Sequence, residues 1–132
     1  MIELSNVKLF DDLTLIKKED QVIDLHNNYV CNTLKYDDNY KLLEVIFVSR
    51  EETRSSKVLL VFKKVLIAKF NFLLVNSEDS STLNTFYRGR FEKENQLFER
   101  TIDNEKYFYI EFEKGDFIEL FAEEVYLEII TL

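Results

Sequence analysis

Apolar and polar residues alternate without a break from Lys106 to Glu113, near the C-terminal end of the chain. Successive side chains of a β-strand point to opposite faces of a sheet, so this alternation predicts a strand with one buried face. Phe108, Ile110 and Phe112 form the apolar face, and the opposite face carries two tyrosines and two glutamates. The pattern excludes an amphipathic helix here, because a helix needs an apolar period near 3.6 residues.

Several other segments have strand patterns and are separated by short polar turns. Tyr29–Tyr36 and Tyr40–Val48 flank Asp37-Asp38-Asn39, residue types that tolerate a tight turn, and together they predict a hairpin. Two more strands are predicted at Phe117–Phe121 and Val125–Ile130. Repeated short strands predict a mainly β fold, with residues 1–132 forming a single antiparallel domain: a sandwich, an open barrel or a strongly bent sheet. The residues predicted to be buried are Leu43, Val45, Phe47, Phe108, Ile110, Phe112, Ile118 and Leu120.

The longest apolar tract runs from Val58 to Val75 and has nearly the length of a membrane span. Three lysines interrupt it, and charge is costly in hydrocarbon, so we predict no membrane segment. Helical spacing fits part of the tract. Its valine and phenylalanine content favours two strands instead, Val58–Phe62 and Val65–Val75.

The sequence pattern of the first 28 residues fits more than one local structure. Ile16, Val22 and Ile23 could line one side of a short helix across Leu15–His26, whereas Val7–Leu9 has the pattern of a short strand. The predicted β fold therefore has at most one short N-terminal helix.

The chain carries 17 basic and 25 acidic side chains, a formal net charge of −8. General binding to nucleic acid or to an anionic membrane needs positive charge facing phosphate, so we predict neither partner. A basic protein is the partner class that this charge permits. Residues 57–93 carry a net positive charge between two acidic segments, which predicts that strands of this middle segment lie beside strands of its neighbours.

Residue types that carry catalysis or bind metals are scarce. His26 and Cys31 are the only histidine and cysteine, so a zinc site cannot form within the chain, and no motif orients the two as a catalytic dyad. Two glycines are too few for a phosphate-binding loop. We therefore predict that the protein is not an enzyme and uses no cofactor. A single cysteine cannot form an internal disulfide, which predicts a reducing, cytoplasmic location.

A basic group at Arg88, Arg90 and Lys93 has aromatic residues interleaved with it. Arginines and aromatic rings together can bind a single nucleic-acid strand. Because the net charge of the chain is −8, we interpret the group as a structural strand with local ion pairs.

Lys114-Gly115-Asp116 is the predicted turn between the last two strands of the alternating region. A three-residue loop there pairs Phe112 with Ile118 and places Glu111 directly opposite Glu119. This register gathers the aliphatic side chains on one face and leaves aromatic rings and carboxylates on the other.

A surface that mixes aromatic rings with carboxylates is typical of protein recognition, since the rings supply buried area and the charges steer the partner. The alternative is that a helix or a second sheet covers the rings, with Arg88, Arg90 or Lys69 paired to the carboxylates. The predicted partner-binding residues are Tyr107, Tyr109, Glu111, Glu113, Phe117, Glu119, Tyr126 and Glu128.

A short, acidic, cysteine-poor, β-rich chain without catalytic motifs is similar in composition to bacterial immunity and antitoxin-type proteins. The resemblance implies a non-enzymatic protein that covers or neutralises a basic, toxin-like partner. The alternative, from another class, is a small-ligand-binding or structural β domain with an apolar pocket. An enzyme that uses paired carboxylates is a third alternative, and no sequence pattern brings two carboxylates together for it.

Overall fold

The computed structural model describes residues 1–51, 56–71, 81–99 and 104–131, and within these residues the chain forms thirteen β-strands and no helix. The predicted mainly β, antiparallel fold is confirmed. The strands are β1 (Ile2–Glu3), β2 (Leu15–Lys18), β3 (Gln21–Asp24), β4 (Tyr29–Asp37), β5 (Leu42–Ser49), β6 (Ser56–Lys63), β7 (Leu66–Asn71), β8 (Leu83–Gly89), β9 (Phe91–Lys93), β10 (Gln96–Phe98), β11 (Lys106–Phe112), β12 (Phe117–Ala122) and β13 (Glu124–Thr131).

Two antiparallel sheets make up the body of the molecule. The five-stranded sheet has the order β1-β13-β6-β5-β4, and the four-stranded sheet has the order β7-β12-β11-β8. The remaining four strands form two small antiparallel ribbons, β2–β3 and β9–β10. The prediction for the middle segment is confirmed, because basic strands β6, β7 and β8 pair with acidic-segment strands β13, β12 and β11.

A bent two-stranded ribbon joins the two sheets. Strands β6 and β7 are nearly continuous, as are β12 and β13, and they pair with each other on both sides of the bend. At the bend, Nζ of Lys64 lies 2.8 Å from Oε2 of Glu123, and the Glu123 N–H donates to the carbonyl of Lys63. Lys64 has a φ of 54°, the left-handed conformation that turns the chain from one sheet into the next.

The core lies between the sheets and contains side chains from both. The ring of Phe62, from the five-stranded sheet, packs edge-on against Phe86 and Phe108 of the four-stranded sheet, at centroid distances of 6.1 and 5.8 Å. Edge-to-face packing at this distance is favourable for aromatic pairs. All eight residues predicted to be buried are at most 1% exposed, which confirms the predicted core.

Three of the edge strands contain a β-bulge. The extra, unpaired residue is Asn32 on β4, Ala68 on β7 and Asn84 on β8. The remaining edge strand, β1, is two residues long. Bulges and short edge strands make pairing with a strand of another chain unfavourable, so these edges are poor sites for strand addition.

The N-terminal region forms a hairpin, so the alternative of a helix across Leu15–His26 is wrong. Ile16 pairs directly with Ile23 across β2 and β3, and both side chains are buried. A spacing of seven residues fits two helical turns, but it fits two opposite hairpin positions equally well. The predicted strand at Val7–Leu9 is also wrong, because these residues lie in the connection that follows β1.

The hairpin of β11 and β12 has the predicted faces, and its register differs from the prediction by two residues. Glu111 lies opposite Phe117, not Glu119, and Glu119 lies opposite Tyr109. The loop begins one residue earlier than predicted, because Gly115 takes a φ of 87° and the Phe112 N–H donates to the carbonyl of Asp116. A shift of two residues keeps every side chain on its face, so the buried residues are unchanged.

The other predicted strands are confirmed where the structure describes them. The hairpin across residues 29–48 is β4 and β5, and the helix alternative for the long apolar tract is excluded by β6 and β7. The second run predicted in that tract, Val65–Val75, is strand over Leu66–Asn71, and residues 72–75 lie outside the described residues.

Candidate protein-binding surface

The eight predicted partner-binding residues do not form one surface. Tyr107, Tyr109, Glu111, Phe117 and Glu119 share the outer face of the four-stranded sheet, and Glu113 is exposed in the following turn. Tyr126 and Glu128 lie on β13 in the five-stranded sheet, where they alternate with buried Val125 and Leu127. The outer faces of two packed sheets point in opposite directions, so this pair is separated from the other six.

Four residues of the outer face form a compact group, here named the central cluster: Tyr109 and Glu111 on β11, and Phe117 and Glu119 on β12. Tyr109 lies opposite Glu119, and Glu111 lies opposite Phe117. The two rings therefore occupy one diagonal of a square and the two carboxylates the other. The rings are stacked, with centroids 6.1 Å apart and planes 29° apart. All four side chains are half-buried, which leaves part of each open to a partner.

Hydrogen bonds hold the glutamates of this face in place. The Tyr109 hydroxyl donates to Oε2 of Glu111 at 2.6 Å. Burial, followed by this hydrogen bond and the charge of Glu111, raises the pKa of Tyr109 above its ordinary value. Burial raises the pKa of Tyr107 as well, together with the charge of Glu119 and a hydrogen bond to it. Both tyrosines therefore stay neutral donors at physiological pH.

One end of the face is covered, as the alternative interpretation expected. Phe91 of β9 packs on Tyr107 and Phe121 at centroid distances of 5.8 and 5.6 Å, and Phe98 of β10 packs on Phe91. Tyr107 and Phe121 are 5% and 4% exposed. The β9–β10 ribbon thus takes the place of the expected covering element, and Tyr107 serves packing more than binding.

The open end of the face continues as a row of rings. Tyr87 of β8 lies opposite Tyr109, with centroids 5.4 Å apart, and Phe10 packs on Tyr87 at 5.8 Å. Phe10 is 62% exposed. Sequence reasoning missed Phe10, because it precedes Tyr87 by many residues and is brought to β8 by long-range contacts such as the hydrogen bond from the Phe10 N–H to the Arg88 carbonyl.

Of the positive side chains expected near the glutamates, Arg88 is engaged elsewhere and Lys69 lies at the edge of the central cluster. Arg88 binds both carboxylate oxygens of Glu99 at 3.2 Å and donates to the Val7 carbonyl, as expected of a local ion pair. Lys69 lies opposite Glu119 on β7, and its Nζ sits 5.6 Å from the centre of the Phe117 ring. Within the described residues, no ion pair of 4.0 Å or less involves Glu111 or Glu119.

The outer face of the five-stranded sheet is a second apolar surface, which sequence reasoning missed. Its apolar side chains alternate with the buried core residues of β5 and β6, and charged residues surround them. The signal was present, because both strands are almost continuously apolar where a half-exposed strand should alternate. The half-buried apolar residues of this face on β5 and β6 are Leu42, Ile46, Val48 and Leu59, and Val61 on the same face is 5% exposed.

His26 and Cys31 have structural surroundings. Nδ1 of His26 lies 2.6 Å from the Leu83 carbonyl, so this nitrogen carries the proton. Cys31 is 8% exposed, and burial raises the pKa of its thiol to about 12. The thiol is therefore protonated at neutral pH, which is unfavourable for a nucleophile.

An open groove of 520 Å³ lies beside the N-terminal strand. Its walls mix apolar residues with charged ones, including Asp11, Asp12, Lys17 and Lys18. Pockets for small molecules have comparable volumes but are lined mainly by apolar side chains. Among the described residues, no group of three or more histidine, cysteine, aspartate or glutamate side chains is placed to hold a metal ion. The same part of the chain contains no helix long and apolar enough to cross a membrane.

Comparison with known proteins gives no match. No family model, no curated protein and no solved structure is significantly similar to this chain. The geometry of the surface therefore carries the functional conclusion.

Proposed function

We propose that the protein is a non-enzymatic binding domain, of the immunity or antitoxin type, which covers a basic partner protein through the outer face of its four-stranded sheet. The observation that carries the proposal is the central cluster, in which two half-exposed rings and two carboxylates alternate at the corners of a square. Rings of this kind supply the buried area of an interface, and carboxylates around them select positive groups.

The charge of the molecule favours a basic partner. The net charge is −8, and Glu111 and Glu119 make no ion pair within the described part of the chain. Carboxylates that are not in an ion pair steer a positively charged protein toward the face and raise its association rate. The same charge opposes the approach of nucleic acid or of a second copy.

A rigid strand pair suits a recognition surface better than a loop would. The four residues of the central cluster project from β11 and β12, which pair over six consecutive positions. Side chains held by a sheet lose little conformational freedom on binding, so more of the contact energy appears as affinity. We also propose the cytoplasm as the compartment, which the single buried Cys31 supports.

The alternative function is small-ligand binding in the groove beside β1. Its volume is suitable, but the five charged residues on its walls do not favour an apolar ligand. The two functions place the binding residues on different surfaces, so one mapping experiment separates them.

Nuclear magnetic resonance can map the site with a short basic peptide of mixed lysine and arginine as the probe. We expect shifts centred on Tyr109, Glu111, Phe117 and Glu119, with affinity that falls as salt shortens the reach of exposed charge to about 8 Å or less. The double variant Glu111→Lys, Glu119→Lys should weaken binding about tenfold or more, equivalent to about 1.4 kcal/mol.

The matched control is Glu124→Lys with Glu128→Lys on β13, which makes the same change in net charge on the other sheet. We expect this control to retain most of the affinity. Equal loss in the two double variants would show that only overall charge matters, and the proposed binding surface would then be rejected. Shifts centred on the groove would favour the alternative function.

A further inference from the structure

We propose that the central cluster binds an arginine side chain of the partner, with the guanidinium against the Phe117 ring and between the two carboxylates. This inference rests on the proposed function, because it names the chemical group through which a basic protein would engage the face.

The geometry favours a planar cation with several donors. Glu111 and Glu119 occupy diagonal positions of an antiparallel pair, which are about 7–8 Å apart. A guanidinium has five N–H donors in one plane, so a single group can reach toward both carboxylates while its face rests on a ring. A lysine ammonium is a compact charge and can approach only one of the carboxylates closely.

The donors of the face leave acceptor capacity for such a ligand. The Tyr109 hydroxyl donates to Oε2 of Glu111, and a carboxylate can accept further hydrogen bonds at its second oxygen. The rings of Tyr109 and Phe117 are stacked with planes 29° apart. The Phe117 ring is half-buried and has the Nζ of Lys69 5.6 Å from its centre, so it offers a π face to a cation. Arginine stacks on such surfaces through cation–π attraction.

The protein's own Lys69 shows that a cation is attracted to this position. Lys69 lies opposite Glu119 on the adjacent strand, and its Nζ lies 5.6 Å from the centre of the Phe117 ring. The ammonium therefore lies near the Phe117 ring at the edge of the central cluster. A partner arginine would compete with Lys69 for the same electrostatic site, so removal of Lys69 should improve binding.

The test compares two peptides that differ only in carrying arginine or lysine at the same positions. Dissociation constants come from the shifts of the Tyr109 and Phe117 ring protons. We expect the arginine peptide to bind about two- to fivefold more tightly, the ratio expected from one exposed cation–π contact. Lys69→Ala should tighten binding of the arginine peptide, and Phe117→Leu should remove the preference for arginine.

The outcomes separate this inference from the proposed function. Equal affinities for the two peptides, both weakened by Glu111→Lys with Glu119→Lys, would overturn the arginine site and leave the basic-partner function standing. An arginine preference that persists in Phe117→Leu would also overturn it, because stacking would not be its source. Peptide shifts located away from β11 and β12 would overturn both proposals.

Discussion

The hydroxyl of Tyr109 donates a 2.6 Å hydrogen bond to Oε2 of Glu111, two residues further along β11. Alternate residues of a strand share a face, so the bond lies flat on the outer surface of the four-stranded sheet. It fixes the carboxylate beside the ring and, together with the larger effect of burial, raises the pKa of the tyrosine. An aromatic group and a negative charge are thus held together at the surface before any partner arrives.

Stability should fall at high pH, because folding raises the pKa of Tyr109 and Tyr107. A tyrosine with a raised folded-state pKa stabilises the fold fully below its unfolded pKa of about 10. That contribution is lost as pH rises from there through the folded pKa, since the folded state then binds more protons than the unfolded state. Urea unfolding at a series of pH values measures this loss.

The variant Tyr109→Phe should flatten this alkaline decline, and Tyr40→Phe on the exposed tip of the β4–β5 hairpin is the matched control. Tyrosinate absorbance, followed in the folded protein, provides an independent readout. A decline that is as steep in Tyr109→Phe as in the wild type would show that the hydrogen bond to Glu111 does not hold the proton.

Residue faces could be predicted from the sequence, whereas strand pairing could not. Alternation alone identified Phe108, Ile110 and Phe112 as core residues, and a shift of register by two residues leaves such assignments unchanged. The register depended on Gly115, whose positive φ sets the loop. The sequence shows a glycine in this turn, but a glycine fits several loop types, and each loop type sets a different register.

The division of the predicted site between two sheets depended on long-range pairing. Tyr126 has the same alternation pattern as Tyr107, and only the pairing of β13 with β6 assigns it to the other sheet. The bend at Lys64 and Glu123 produces that pairing. Local sequence contains no periodic signal for such a bend, because one residue in a left-handed conformation is enough to form it.

The ion pair between Arg88 and Glu99 should matter more than the exposed pairs. Its side chains are only 19% and 15% exposed, and Arg88 also holds the Val7 carbonyl. Removing one partner leaves a poorly solvated charge, so Glu99→Ala should lower the free energy of unfolding by about 1–3 kcal/mol. Urea denaturation measures the change.

The exposed pair of Lys41 and Asp38 provides the comparison, with side chains 56% and 86% exposed. Asp38→Ala should change the free energy of unfolding by about 0.5 kcal/mol or less. Replacing both members of the half-buried pair, with Arg88→Met and Glu99→Leu, should lower the free energy of unfolding by less than Glu99→Ala alone. Equal losses at the two ion pairs would contradict the role given to Arg88.

The thiol of Cys31 should react slowly in the folded protein at neutral pH. It is 8% exposed, and burial raises its pKa to about 12, so both access and thiolate content are low. A thiol-specific chromophoric reagent should label it slowly in buffer and rapidly in concentrated urea. Immediate labelling of the native protein would indicate an accessible thiolate and would reopen a nucleophilic role.

The proposed interface requires Glu111 and Glu119 to face outward, with no ion pair inside the described part of the fold. The free energy of unfolding of the double variant Glu111→Lys, Glu119→Lys tests this claim most directly. We predict a change of about 1 kcal/mol or less relative to the wild type, as for surface substitutions. A loss of several kcal/mol, on the scale of unpaired buried charges, would show that the face is part of the core and would contradict the account.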